Sequence, residues 1–354
     1  YTDVCLNYLI YNCFKKYLNK KRVFLSMIKK KCIVTGGCGF IGSHLVDYLI
    51  KKNFQVCVID NLSTGKLKNL NPKAKFIRAN LGNYKNWHKN FKNVDYVFHL
   101  AGLAELVSSI KNYDKYFNSN VASTFNIFRA AKTYNCKKII YTASSTCYGK
   151  PESFPTKESS KINTLHPYAV TKYLGEDILL RFGKIFNIPV VSARLFNVYG
   201  PRVRGTKGYG AVFTVFLAQK LKNKPFTIVG DGKQKRDFTY VSDIVEALYL
   251  LAKNIKIKHH IFNIGSGKTV SINKLVSLLN GKKIFIPKRP GEPDITFANI
   301  SKIKKTLEWK PKVNIEKGSK IMLSKLNDYK DQPLWNKLKI KKATSEWFKF
   351  LNNT

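Results

Sequence analysis

Arginine is scarce in this sequence, and so is acid. Among 354 residues, 63 are Lys or Arg and 21 are Asp or Glu, giving a formal charge of +42. Only nine of the cations are Arg, and the lysines are spread along the chain with no aromatic-interleaved patch. Such dispersion argues against a dedicated nucleic-acid interface, which would cluster its cations. Abundant Lys, Asn, Ile, Phe and Tyr reads instead as an AT-rich coding bias, although the charge should still gather anionic ligands. No apolar run reaches the roughly 18 residues of a membrane span. The seven cysteines form no Cys-x-x-Cys pair. This removes the usual zinc and dithiol motifs and points to a reduced, cytoplasmic chain without metal. Methionine occurs only at 27 and 322. The chain opens at Tyr1, and Met27 leads directly into an apolar strand. Residues 1–26 therefore read as an upstream extension, with a basic targeting segment as the rival reading.

At 44% hydrophobic, the chain can bury a large core, in one domain or two unequal lobes. Its organising stretch is Ile33-Val-Thr-Gly36-Gly-Cys-Gly39-Phe-Ile-Gly42. A short apolar strand meets a glycine cluster, then a helix with Leu45, Val46, Leu49 and Ile50 on one face. This order suits a dinucleotide: a sharp turn at Gly36, close approach of a pyrophosphate at Gly39, and tight helix–strand packing at Gly42. The helix start offers free N–H groups to phosphate. Two registers fit, Gly36-x-x-Gly39-x-x-Gly42 and Gly37-x-Gly39-x-x-Gly42, and a ligand-free structural turn is the bland alternative. The next apolar run, Val56-Cys-Val-Ile59, ends in Asp60. An acid there binds a ribose and repels a 2′-phosphate, so NAD is favoured over NADP.

Strand patterns at 31–35, 55–59, 75–78, 94–100, 137–142 and 189–194 alternate with helical patterns near 41–51, 113–133 and 166–186. The alternation predicts a Rossmann-type α/β fold, a doubly wound parallel sheet with ligands at the carboxyl ends of its strands. After 195, Gly- and Pro-rich loops separate shorter elements. We read residues 27–195 as the NAD-binding domain and 196–330 as a smaller substrate-binding lobe, with 236–255 returning to the first domain. Residues 331–354 form a docked helical tail. Tyr168 and Lys172 share one helix face. An ammonium beside a phenol should lower its pKa from about 10 and make Tyr168 a base. A surface Tyr/Lys pair is the bland alternative. A hydroxyl cluster, Thr142-Ala-Ser144-Ser145-Thr146, closes the fifth strand.

Together these features resemble the extended short-chain dehydrogenase/reductase family, in particular its nucleotide-sugar epimerases and dehydratases. The similarity runs from about Met27 past Pro311. It includes Thr35–Gly42, His99-Leu-Ala-Gly102, Ser144–Gly149, Tyr168-x-x-x-Lys172, Arg194–Arg202, Gly230-Asp-Gly232, Arg236–Asp243, Asn263–Gly267 and Arg289-Pro-Gly-Glu292. The resemblance implies that Ser144 bonds the sugar hydroxyl being oxidised, Tyr168 takes its proton and Lys172 binds the nicotinamide ribose. It places Phe40, Ile41, Asn61, Asn80, Leu81, Leu100, Ala101, Asn120 and Phe196 around NAD. It places Ser145, Asn197, Arg236, Arg289, Glu292 and Thr296 around the nucleotide sugar. It also implies a homodimer built on the helices near 113–133 and 166–186.

Two departures stand out: Asn80 where the family commonly has Asp, and Ala104 where some 4-epimerases carry Lys. Family dehydratases and decarboxylases carry an acid at the position of Thr146, and Thr cannot abstract a proton as a carboxylate does. The resemblance therefore implies a 4-epimerase. A dehydratase or decarboxylase, a 4-keto-sugar reductase, and a non-catalytic RNA-binding dinucleotide fold are the alternatives. Thr296, where hexose-restricted epimerases often carry Tyr, implies room for an N-acetyl group.

Overall fold

The computed structural model describes residues 29–203 and 210–351; the extension read at 1–26 lies outside them. One parallel sheet carries β1 (Lys31–Thr35), β2 (Gln55–Asp60), β3 (Lys75–Arg78), β4 (Tyr96–His99), β5 (Lys138–Ser144), β6 (Val190–Leu195) and β7 (His260–Ile264). Their order is β7-β6-β5-β4-β1-β2-β3. The order reverses between β1 and β4, so a crevice opens at their carboxyl ends. Every residue of β5 and β6 is buried, as strands covered on both faces require. Successive side chains divide between two core layers: Val34 and Val58 enter one, Ile33 and Ile59 the other.

The principal helices are α1 (Phe40–Lys51), α2 (Leu106–Lys111), α3 (Ser123–Thr133), α4 (Pro167–Ile185), α5 (Val241–Lys253) and α6 (Lys337–Leu351). Helix α1 buries Leu45, Val46 and Leu49 against the sheet. Helix α5 lies beside it, with the Tyr48 and Tyr249 rings 5.5 Å apart.

Two features differ from the sequence reading. The pattern at 113–133 is not one helix: a π-helical turn, Asn118–Ala122, separates Tyr113–Phe117 from α3. Its extra residue rotates Asn120 towards Leu103, whose N–H and C=O are both taken by the Asn120 amide. The strand β7 is also absent from that reading. His260 and Asn263 interrupt its apolar run, yet it pairs in parallel with β6 from His260↔Val191 to Ile264↔Leu195. The segment 196–330 therefore contributes a strand to the main sheet. The rest of the lobe includes the helix Val212–Leu221 and a parallel strand pair, Phe226–Val229 with Lys283–Ile286. The tail docks as α6, with Trp347 and Leu351 packed on Val107 of α2.

Candidate active site

A cleft of about 650 Å³ lies over the carboxyl ends of the strands. Its floor at one end is Gly36, Gly39 and the first residues of α1, Phe40, Ile41 and Gly42. Gly36 has φ +70°, and a Cβ there would stand 2.9 Å from the Ala101 nitrogen. A Cβ on Gly42 would strike the Gly36 carbonyl at 2.1 Å. Gly37 instead backs onto Val58 and does not reach the cleft, so the register in use is Gly36-x-x-Gly39-x-x-Gly42. The Asp60 carboxylate is held at the rim, accepting from the backbone N–H of Cys38 (3.0 Å) and of Leu62 (2.8 Å). Asn61, Asn80, Leu81, Leu100, Ala101 and Gly102 complete this end. Asn80 Oδ1 accepts from the Gly82 N–H. Free N–H groups at a helix start, a fixed carboxylate and an apolar slot suit a pyrophosphate, a ribose and a base in turn. These residues fit NAD.

The wall beside that floor is locked by a histidine. His99 lies between two hydroxyls, Thr35 Oγ1 at 2.7 Å and Thr124 Oγ1 at 2.9 Å. Thr124 gives its proton to the Asn120 carbonyl, so it must accept from His99 Nε2–H. Thr35 then donates to Nδ1 and accepts from the N–H groups of Leu100 and Ala101. Burial pushes His99 down to about 3, so the neutral ring and its tautomer are fixed. Asn120 stands behind this wall. Its amide spans Leu103 and the Thr171 hydroxyl, so it supports the residues around NAD rather than lining the cleft.

The opposite wall carries the reactive groups. Ser144 ends β5, while Tyr168 and Lys172 sit on the first turns of α4, started by Pro167 at its first position. Ser144 and Tyr168 both line the cleft, and the Ser144 hydroxyl acts on the phenol. Thr146 donates its hydroxyl to Ser144 Oγ at 2.9 Å. Lys172 Nζ lies 4.2 Å from the Tyr141 ring centroid, below Gly102. The expected lowering of Tyr168 by Lys172 is not what the chain alone produces. Burial raises the Tyr168 phenol, and the nearby Ser144 hydroxyl only partly opposes this. The same burial brings Lys172 down to about 7, against the charge of Glu176. With both groups desolvated, neither supplies the other with a full neighbouring charge.

At the far end, Glu292 pairs with Arg289 at 2.7 Å and reaches Arg236 at 4.0 Å. Two converging arginines held by one carboxylate make a cationic cradle suited to a diphosphate. Asn197, Phe196, Ser145 and Thr296 line the space between, and Thr296 Oγ1 donates to Asn197 Oδ1 at 2.7 Å. Among the lining residues missed from sequence are His166 and Trp347. A His at a helix cap and a Trp in a tail carry no local signal of a ligand site. Among the described residues no helix is long and apolar enough to cross a membrane.

The geometry has close counterparts. A Methanocaldococcus jannaschii protein provisionally named a UDP-glucose 4-epimerase is 39% identical over 298 residues, 81% of this chain and 95% of its own. UDP-glucuronic acid decarboxylase 1 of Arabidopsis thaliana is 34% identical over 83% of this chain and 69% of its own length. The structure of a Methanobrevibacter ruminantium UDP-N-acetylglucosamine 4-epimerase, in complex with UDP-N-acetylmuramic acid, superposes with TM-score 0.79. It is 34% identical and covers 84% of this chain and 100% of its own. Residues 32–265, most of the sheet and the whole reactive wall, match the NAD dependent epimerase/dehydratase family, and the chain is a member of it.

Proposed function

We propose that the protein is an NAD-dependent nucleotide-sugar 4-epimerase. The observation that carries this reading is Thr146. Its hydroxyl is spent on Ser144, at the position where the dehydratase and decarboxylase branch needs a carboxylate. The chain therefore holds the groups for oxidation at C4 and lacks the acid for chemistry beyond it. When bound, NAD supplies a reversible hydride acceptor at C4 and, in its oxidised form, a positive ring beside the phenol. Arg236 and Arg289 hold the diphosphate and so aim the sugar at the reactive wall. Ser144 bonds the 4-hydroxyl, and Tyr168 takes its proton as the carbon becomes a ketone. Lys172 binds the nicotinamide ribose. The ketone turns within the cleft, so that the hydride NAD would return reaches the other face of C4, while Tyr168 gives the proton back to the 4-oxygen.

Thr296 supports acceptance of N-acetylated as well as plain hexoses, since its small side chain leaves space an aromatic ring would fill. A homodimer is supported by exposed apolar residues on neighbouring helices, with Tyr113 59%, Phe117 54% and Ile185 67% exposed. A cytoplasmic location agrees with the five described cysteines, all unpaired. The deciding experiment incubates purified protein with UDP-glucose and no added cofactor. Formation of UDP-galactose is expected. A stoichiometric demand for NAD(P)H would indicate a reductase, and loss of carbon dioxide from UDP-glucuronate a decarboxylase.

A further inference from the structure

The C-terminal helix brings one residue, Trp347, to the cleft. Trp347 is 1% exposed and lines the cleft. Its Nε1–H donates to the Pro290 carbonyl at 2.9 Å, next to Arg289 of the cationic cradle. Its ring lies 5.5 Å from that of His166. His166 in turn lies parallel to Tyr168, with 3° between the planes and 5.9 Å between centroids. One indole thus touches the diphosphate end on one side and the reactive wall on the other. A sugar linking the two must pass along it.

The indole is not free to leave this position. Val107 and Leu351 pack around it, and the helix is anchored again at Ile340, which is 5% exposed. Just before the helix, the Trp335 carbonyl accepts from Gln219. His166 is fixed as well: its Nδ1 accepts from the Ala169 N–H, so its proton sits on Nε2.

We propose that Trp347, with His166 behind it, is the wall of the sugar subsite, so that the C-terminal helix determines how the hexose is held and which hexose is preferred. The inference rests on the nucleotide-sugar reading above. The indole reaches the cradle only through its edge N–H, which is taken by the Pro290 carbonyl, and an aromatic face suits the C–H face of a pyranose better than a charged diphosphate. Trp347 is a contact to the sugar and not to the nucleotide.

The test measures binding of UDP, UDP-glucose and UDP-N-acetylglucosamine to the full chain and to Trp347→Phe and Trp347→Ala, alongside KM, kcat and Tm. We expect Trp347→Ala to weaken both UDP-sugars at least tenfold while UDP binding changes less than threefold. Trp347→Phe, which keeps a ring and the packing, should fall between and shift the preference between the two sugars. Quenching of indole fluorescence by UDP-sugar should disappear in the Phe variant. Equal weakening of UDP and UDP-sugars in both variants would overturn the proposal, leaving Trp347 as a prop for the Arg289 loop. Unchanged sugar binding in a folded Phe variant with unchanged quenching would overturn it too. Failure of the unmodified chain to bind UDP or either UDP-sugar would instead strike the nucleotide-sugar reading itself.

Discussion

Replacing Glu176 by Gln should destabilise the fold while leaving the shape of α4 intact. Glu176 lies one turn beyond Lys172 and accepts from Arg194 Nε and Nη2 and from the Ser192 hydroxyl. The two ionised side chains are 2% and 3% exposed. Arg194 continues the network through Nη1 to the Tyr148 hydroxyl at 2.8 Å, and Tyr148 donates to Asn263 of β7. An amide at 176 keeps the volume but strands a buried guanidinium with neutral partners. Breaking such a pair costs about 3–5 kcal/mol. At roughly 2 °C per kcal/mol for a large domain, Tm should fall by about 6–10 °C. The double variant Glu176→Gln/Arg194→Met removes the stranded cation and should recover most of that loss, as exchange of both partners for neutral groups is often tolerated. Glu176 also opposes the burial that lowers Lys172, so in Glu176→Gln the activity limb that depends on charged Lys172 should move to lower pH. Urea midpoints for the two singles and the double, with a pH–rate profile, test the whole argument. A loss below about 1 kcal/mol in the single variant, or no coupling in the cycle, would refute it.

Tyr168→Phe should lower kcat by roughly 10²–10⁴, the usual worth of a positioned acid–base group, with UDP-sugar binding retained; near-normal turnover would end the assignment. Lys138 donates Nζ to the carbonyls of Leu251 and Asn254, and burial pulls it down to about 8. The unfolded chain then binds the extra proton between that value and the ordinary lysine pKa of about 10.4, so this group makes stability rise with pH across the window. The stability difference between the native chain and Lys138→Met should change between pH 8 and 10, and a constant difference in urea midpoints would contradict the sign. Thr296→Tyr should reduce the kcat/KM ratio of UDP-N-acetylglucosamine to UDP-glucose by roughly 5–150-fold, the equivalent of about 1–3 kcal/mol of overpacking. An unchanged ratio would show that Thr296 is not the gate.

Local chemistry made much of this molecule legible in advance. The glycine turn, Asp60, the Ser144 cluster and the Tyr168/Lys172 pair each carry their reason in neighbouring residues. What escaped was held by distance. The choice between Gly36 and Gly37 depends on Val58 behind the turn. The role of Asn120 depends on a π turn set by the Leu103 backbone. The direction of the Tyr168 shift depends on complete burial, which outweighs the residue four positions along the helix. His166 and Trp347 meet only because the last helix folds back over α2.

The late strand β7 has a consequence for how the chain matures on the ribosome. When residue 195 has emerged, β6 has one edge bonded to β5 and the other open, over a stretch that later pairs at five successive positions. The strand that pairs with that edge is not complete until residue 264 follows. Helix α5, which shields Tyr48 of α1, is also still unmade. The nascent half-protein thus presents both an unpaired strand and an uncovered helix flank, the two features that invite association between neighbouring chains. The cofactor floor and its reactive wall are complete in sequence by residue 195, but the sheet beneath them closes only when the substrate lobe has been threaded back into it.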